Sequence, residues 1–316
     1  MKITDRTTFG CAPGWKRYEG NPVLGREYGE TYDVCVLQLG PVLRMYLSLR
    51  YSRSIGMTES RDGIHWGPVI PILQPEGEED LNRPMVLQID GLFYMWYTKM
   101  RYTEHPVKFS NVLAEIRLAV SRDGIHFERQ NRLGLTATEP WENEKVTCPF
   151  VREENGLFRM WYSGGGHWEP DHIGYAESHD GIHWKKSSLN PIFCPHPGHY
   201  WERGHTEACQ VIFVQGWYYM FYLGMEDMYK GTVNVARSRD GVTDWERYGE
   251  NPILRTGPCG EWDCEAVYKP WILNVGGKWM LWANGRKMGI ERIGLYYYEH
   301  ACLFPDWETD APQKHE

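Results

Sequence analysis

At 316 residues, with 42 acidic against 34 basic side chains, the chain carries a formal charge of −8. It therefore has no broad attraction for nucleic acid or an anionic membrane, and neither is an expected partner. Hydrophobic residues make up 42% and aromatic ones 14%, with 15 Trp, 20 Tyr and 33 Gly, which excludes a disordered chain and favours aromatic strands broken by tight turns over a helical bundle.

The start, MKITDRTTFGCAPGWKR, lacks the apolar core of a secretory signal, and no apolar run approaches the roughly 18 residues of a membrane span. A soluble, cytoplasmic protein is expected. The 8 Cys are scattered and no C-x-x-C pair occurs, so free thiols are expected rather than a disulfide framework.

In chain order the first element is WKRYEGNPVL (15–24), which reappears as WERYGENPIL at 245–254. There it closes a longer unit. That unit recurs: ESRDGIHW, VSRDGIHF, ESHDGIHW and RSRDGVTDW place Ser60, Ser121, Ser178 and Ser238 at spacings of 61, 57 and 60 residues. Each follows a Met-containing aromatic strand, LRMYLS, FYMWYT, FRMWYS or YYMFYL, and WMLWAN supplies a fifth. A fifth turn has decayed into IGLYYYEH. Within a unit an apolar strand turns through Gly into the Met strand, and a polar connection leads to a third strand that turns at Asp-Gly into a fourth. Four antiparallel strands in each of five units of about 60 residues describe an all-β, five-bladed β-propeller. Its blades run about 25–73, 74–136, 137–193, 194–254 and 255–307, and the strand 15–24 completes the last blade and closes the ring. Asp62, Asp123, Asp180 and Asp240 belong to turns and are expected to be structural.

First-to-second and third-to-fourth turns share one face and are tight; the long connections share the other, so the site is expected there, at the mouth of the axis. Counting back twelve or thirteen residues from each strand Met gives the start of each inner strand: Tyr32-Asp33, Asn82-Arg83, Thr147-Cys148, Glu207-Ala208 and Val267-Tyr268. Glu144, Lys145, His205, Glu265 and Lys269 adjoin them. Such a ring of carboxylates beside cations suits acid and base work, because neighbouring charges and burial push carboxyl pKa values apart; carboxylates that merely pair with Arg83 or Lys145 are the bland alternative. Arg50 and Arg286 add basic charge to the face. Trp168, Trp201 and Trp262 are candidates to stack on a sugar, although Trp141, Trp201 and Trp262 recur at one register and so also read as scaffold. No P-loop, dinucleotide fingerprint, metalloprotease motif or nucleophile elbow occurs, so no cofactor is expected.

The five blades, the "MWY" strand before an S-x-DG-x-x-W turn and the closing first strand resemble the five-bladed furanosidase superfamily, glycoside hydrolase families 43, 32, 62 and 68, with family 130 mannoside phosphorylases as relatives. The resemblance implies a glycosidase of family 43 type acting on a small saccharide, with Asp33 in TYDVCVL as base or nucleophile and Glu207 in HTEACQV as general acid. The family's middle Asp has no counterpart, since Arg83 stands in its place; Glu265 with Tyr268 would supply the missing group. Tyr32, Asn82, Arg83, Glu144, Lys145, Trp168, His205, Tyr268, Lys269 and Arg286 would bind the substrate, anionic if the basic residues converge on it. His205-Thr206-Glu207 places two potential ligands on one strand face, and relatives often hold a calcium ion or a water near a channel His, so a channel calcium is a further expectation of the resemblance. A phosphorylase, a non-hydrolytic cyclase or lyase and a sugar-binding propeller remain open alternatives.

Overall fold

The computed structural model describes residues 7–25, 31–107, 110–166 and 169–308. Among these residues twenty strands form five four-stranded antiparallel sheets, arranged as the blades of a propeller. Blade 1 comprises β2 (Thr31–Leu39), β3 (Val42–Leu49), β4 (Ser54–Ser60) and β5 (Ile70–Leu73). Blade 2 comprises β6 (Glu79–Ile89), β7 (Leu92–Val107), β8 (Ser110–Ser121) and β9 (Glu128–Leu135). Blade 3 holds β10 (Val146–Glu154), β11 (Leu157–Gly164), β12 (His172–Ser178) and β13 (Lys185–Lys186), and blade 4 holds β14 (His205–Val214), β15 (Trp217–Met225), β16 (Gly231–Ser238) and β17 (Glu246–Arg247). Blade 5 is β18 (Ala266–Val275), β19 (Lys278–Lys287) and β20 (Ile290–Tyr298), completed by β1 (Trp15–Arg17). No helix among the described residues is long and apolar enough to cross a membrane.

Closure is as the repeat predicts. Trp15 pairs with Tyr298 and Arg17 with Tyr296, and the buried Arg17 guanidinium meets the buried Asp263 carboxylate. Beyond β1 the chain stays beside β20 through Asn21, whose Oδ1 accepts from the Leu295 N–H at 2.8 Å while its Nδ2 donates to the Leu295 carbonyl at 2.9 Å. Asn190 serves Tyr175 and Asn251 serves Val235 in the same way. The recurring Asn-Pro thus continues strand pairing by side chain where the backbone leaves the ladder.

The Asp-Gly turns are internally satisfied. Asp180 Oδ1 accepts from the N–H groups of Ile182 and His183, each at 2.8 Å, and Ser178 Oγ accepts from the Gly181 N–H at 2.9 Å. Each turn also locks to its neighbour: Trp96, Trp161 and Trp282 donate their indole N–H to the carbonyls of Gly181, Gly241 and Gly63, and the Tyr46 hydroxyl donates to that of Gly124. Because the half-exposed Asp180 carries two backbone bonds, Asp180→Ala is expected to cost about 1 kcal/mol. The check is a lower urea midpoint with unchanged slope.

Candidate active site at the mouth of the axis

Every inner strand carries a β-bulge at the same place. Pairing with the second strand skips between Tyr32 and Cys35, Asn82 and Met85, Thr147 and Phe150, Glu207 and Gln210, and Tyr268 and Trp271. The extra residue sits at φ of 58° for Asp33, 56° for Arg83, 51° for Cys148, 48° for Ala208 and 51° for Lys269. A left-handed conformation costs an L residue about 1–2 kcal/mol, so five such positions need a compensating scaffold. Four of them have a visible one. The N–H of Asp33, Arg83, Cys148 and Ala208 donates to Asn284, Ser48, Thr98 and Ser163, respectively, on the second strand of the preceding blade, at 2.9–3.1 Å. These acceptors are the last residues of the strand motifs ending in Asn, Ser, Thr and Ser. Blade 4 ends its motif with Leu223, which has no side-chain acceptor, and Lys269 is the residue left without that bond.

The bulge puts two consecutive residues of a strand at the axis, in different layers. Tyr32, Asn82, Glu207 and Tyr268 line a cavity at the mouth. Asp33, Cys148 and Ala208 line the channel beneath it, and Arg83 and Lys269 border both. In blade 5 the pair is therefore Tyr268-Lys269 rather than Val267-Tyr268. Leu281, not Met280, faces the residue three past the bulge, the position Met45 and Met95 occupy in their blades. Counting from Met280 places the register one residue early.

Glu207 is fully buried at the floor of the mouth. Burial, and then the charge of Glu169, raise its carboxyl to about 8. Its Oε2 accepts a weak hydrogen bond from the Cys148 thiol at 3.9 Å, while Oε1 has no partner among the described residues. Glu169 behaves oppositely: burial disfavours its charge, but Lys269 and Arg83 outweigh that and hold it below the ordinary range. Arg83 donates to Glu169 at 3.3 Å and to Thr147 Oγ1 at 2.8 Å. Lys269 lies 3.0 Å from Asp33 Oδ1, and Asp33 Oδ2 accepts from Ser48 at 3.2 Å. The mouth thus pairs one carboxyl kept neutral with one kept ionised.

Most of the expected binding residues converge here. Tyr32 lies under the Arg50 guanidinium, 4.5 Å from its ring centre, and Arg50 meets Glu291. Asn82 donates to Asp80 at 3.4 Å, and Arg286 lines the same cavity and donates to the Tyr229 carbonyl at 2.7 Å. Lys145 is buried, and burial pulls its ammonium down to about 8 against the opposing pull of Glu169 and Glu207. His205 borders the group with Nδ1 3.2 Å from the Pro170 carbonyl.

Other expectations are relocated. Asp33 lines the deeper channel, with its oxygens taken by Lys269 and Ser48, not the mouth. Glu265 is not in the channel: it lines a separate cavity between blades 4 and 5 and accepts from the Met288 N–H at 2.7 Å. Glu144 lines a third recess, with Lys99 and Arg101. Trp168 lies outside the described residues. Trp262 and Trp141 are scaffold: a Cβ on Gly285 or Gly294 would strike the Trp262 ring at 2.1 and 2.4 Å, and one on Gly174 would strike Trp141 at 2.8 Å. Conversely, Asp80, Glu169, Glu291 and Tyr102 line the mouth without having been singled out. Glu169 sits in the loop SGGGHWEPDHI, where no strand periodicity assigns a direction to any side chain.

A channel calcium finds no fit. Hard cations take several oxygen ligands, yet Asp33 is committed to Lys269, and among the described residues no three His, Cys, Asp or Glu side chains are grouped to hold a metal.

The comparisons with known proteins agree with this architecture. No family model matches the chain. A protein of Mycobacterium tuberculosis described as uncharacterized is 26% identical over 193 residues, 58% of this chain and 61% of its own length. The chain thus spans about three fifths of the curated relative it matches. A 1,2-beta-oligomannan phosphorylase of a Thermoanaerobacter species is 26% identical over 126 residues, 38% of this chain and 42% of that protein. Among solved structures, a thermostable family-43 glycoside hydrolase superposes with a TM-score of 0.69 at 18% identity, over 87% of this chain and 91% of that one. The fold is that of the five-bladed glycoside hydrolases.

Proposed function

We propose that the protein cleaves a glycosidic bond of a small saccharide at the mouth of the propeller axis, with Glu207 as proton donor. One observation carries this reading: Glu207 Oε1, the Tyr268 hydroxyl, Asn82 Oδ1 and Arg83 Nε are all buried, all belong to residues lining one cavity, and have no partner among the described residues. Each orphaned group costs about 1–3 kcal/mol, and a ligand with many hydroxyls, able both to donate and to accept, would satisfy the set.

Glu207 gives its proton to the glycosidic oxygen as the bond from the anomeric carbon to that oxygen breaks. Glu169, ionised by Lys269 and Arg83, takes a proton from the water that attacks the anomeric carbon. Exchange with solvent then returns Glu207 to its acid form and Glu169 to its base form. This assigns the base to Glu169, in the mouth, in preference to Asp33, in the layer below. The likeness to a family-43 hydrolase supports the reaction class by fold only.

Phosphorolysis is the second reading. It is favoured by the relative named as an oligomannan phosphorylase and by Arg50, Arg83, Lys269 and Arg286 around the mouth. Against it, Arg50, Arg83 and Lys269 each already face a carboxylate. Aryl glycosides assayed with and without inorganic phosphate separate the two. Hydrolysis predicts rates within about twofold of each other and free sugar as product; a glycosyl phosphate appearing only with phosphate selects phosphorolysis.

A further inference from the structure

Beside the mouth, between blades 4 and 5, lies a second cavity of about 350 Å³ that shares Gly231 with the first and is lined by Tyr200, Trp201, Tyr229, Thr232 and Glu265. The mouth alone, about 100 Å³, falls short of the roughly 300–1,000 Å³ of small-molecule sites, and the second cavity brings the recess into that range. Gly231, which is buried, forms lining common to the two. A Cβ on Gly231 would crowd Leu223 at 3.0 Å and make ordinary contact with Ala266 and Tyr268 at 3.5 Å, all three lining the mouth.

The aromatic lining has a local cause. In blades 3 and 5 the rim Trp packs into a slot floored by two glycines, Gly164 and Gly174 under Trp141, and Gly285 and Gly294 under Trp262. Blade 4 keeps the first glycine, Gly224, but at the second position, paired with Tyr222, it has Asn234. A Cβ on Gly224 would meet Asn234 Nδ2 at 2.6 Å and the Trp201 carbonyl at 2.8 Å, with no atom of the Trp201 ring among its nearest neighbours. Asn234 therefore takes the space that the indole fills in the other blades. The Trp201 ring instead stacks on His199, with centroids 4.7 Å apart and planes at 11°, and borders the cavity. Around it Tyr229 is 74% and Tyr200 50% exposed, a costly use of large aromatic surface unless something covers it.

We infer that this cavity is a second saccharide subsite, which holds the next sugar units of a substrate whose scissile bond lies in the mouth. The inference rests on the glycoside-cleaving reading above. Flat aromatic faces suit the apolar faces of sugar rings, while Thr232, Glu226 and Glu265 at the edges suit their hydroxyls. Both recesses are lined by Gly231, so the inferred subsite places one chain of sugars along the two.

The test uses β-1,2-mannotetraose and α-1,5-arabinotetraose against the corresponding p-nitrophenyl monoglycosides. Wild type, Tyr229→Ala and Trp201→Ala are compared by kcat/KM, and each is also made in a Glu207→Gln background so that binding can be read by tryptophan fluorescence or calorimetry. With at least one tetrasaccharide, each aromatic replacement should lower kcat/KM and affinity about tenfold more than it does with the monoglycoside. Equal losses on long and short ligands, or no preference of wild type for either tetrasaccharide over its monoglycoside, would overturn the subsite while leaving the cleavage reading intact. If wild type cleaves no glycoside, that reading fails, and the binding arm still decides the subsite: a Tyr229-dependent preference for a tetrasaccharide sustains it, and its absence removes it.

Discussion

Glu207→Gln should lower kcat on unactivated glycosides by about 10²–10⁴-fold, the usual contribution of a positioned acid, without unfolding the protein. Glutamine fills the same volume but has no proton to give. The wild-type profile should be bell-shaped. Its alkaline limb lies near pH 8, where Glu207 ionises; its acid limb lies below the ordinary carboxyl range, where Glu169 takes up a proton. The same group provides a check independent of activity. Because its folded pKa is raised above the unfolded value, its contribution to stability is fully present below the unfolded pKa of about 4.3 and is lost as pH rises through about 8. The Gln variant lacks this loss, so its urea midpoint relative to wild type should improve as pH is raised from 5 towards 9, an interval set by those two values.

Lys269→Met is the second large effect, and it acts on stability. The substitution strands Asp33, which is 5% exposed and holds Lys269 at 3.0 Å. Breaking one side of a buried pair costs about 3–5 kcal/mol, whereas replacing both partners by neutral groups is often close to neutral. The double variant Asp33→Asn/Lys269→Met should therefore recover most of the loss, as a thermodynamic cycle of urea midpoints would show. Lys269 is also the strongest of the groups that lower the Glu169 pKa. Without it that carboxylate protonates at higher pH, so the acid limb of the rate profile should move upward in both Lys269 variants. An unmoved acid limb would detach Glu169 from the reaction.

The sequence carried the architecture because every blade must solve the same packing problem, and so repeats its residues. WKRYEGNPVL made closure legible, since a fourth strand without its own first three must belong to the last blade. The site is where the repeat ends and prediction weakened. Strand register carried Tyr32, Asn82, Arg83 and Glu207 to the axis, but it slipped by one in blade 5, where Trp282 keeps the scaffold position and Met280 moves off it. It also misplaced Glu265 and Glu144, which precede the strands and obey no alternation. Glu169 was invisible for the same reason: a loop residue acquires a direction only from tertiary contacts, here with Arg83 and Lys269. The two-layer division of the bulge, which sends Glu207 to the mouth and Asp33 beneath it, depends on left-handed backbone at five non-glycine residues, a conformation that composition gives no reason to expect.

The role proposed for Glu207 is to donate the proton to the departing oxygen. It is tested most directly by kcat/KM for a series of aryl glycosides whose phenols span a wide range of acidity, in wild type and in Glu207→Gln. If Glu207 is the donor, the variant loses most activity on the least acidic phenols and approaches wild type on the dinitrophenyl glycoside, which departs without a proton. A loss of equal size across the whole series, or no loss anywhere in it, would remove Glu207 from the role of proton donor.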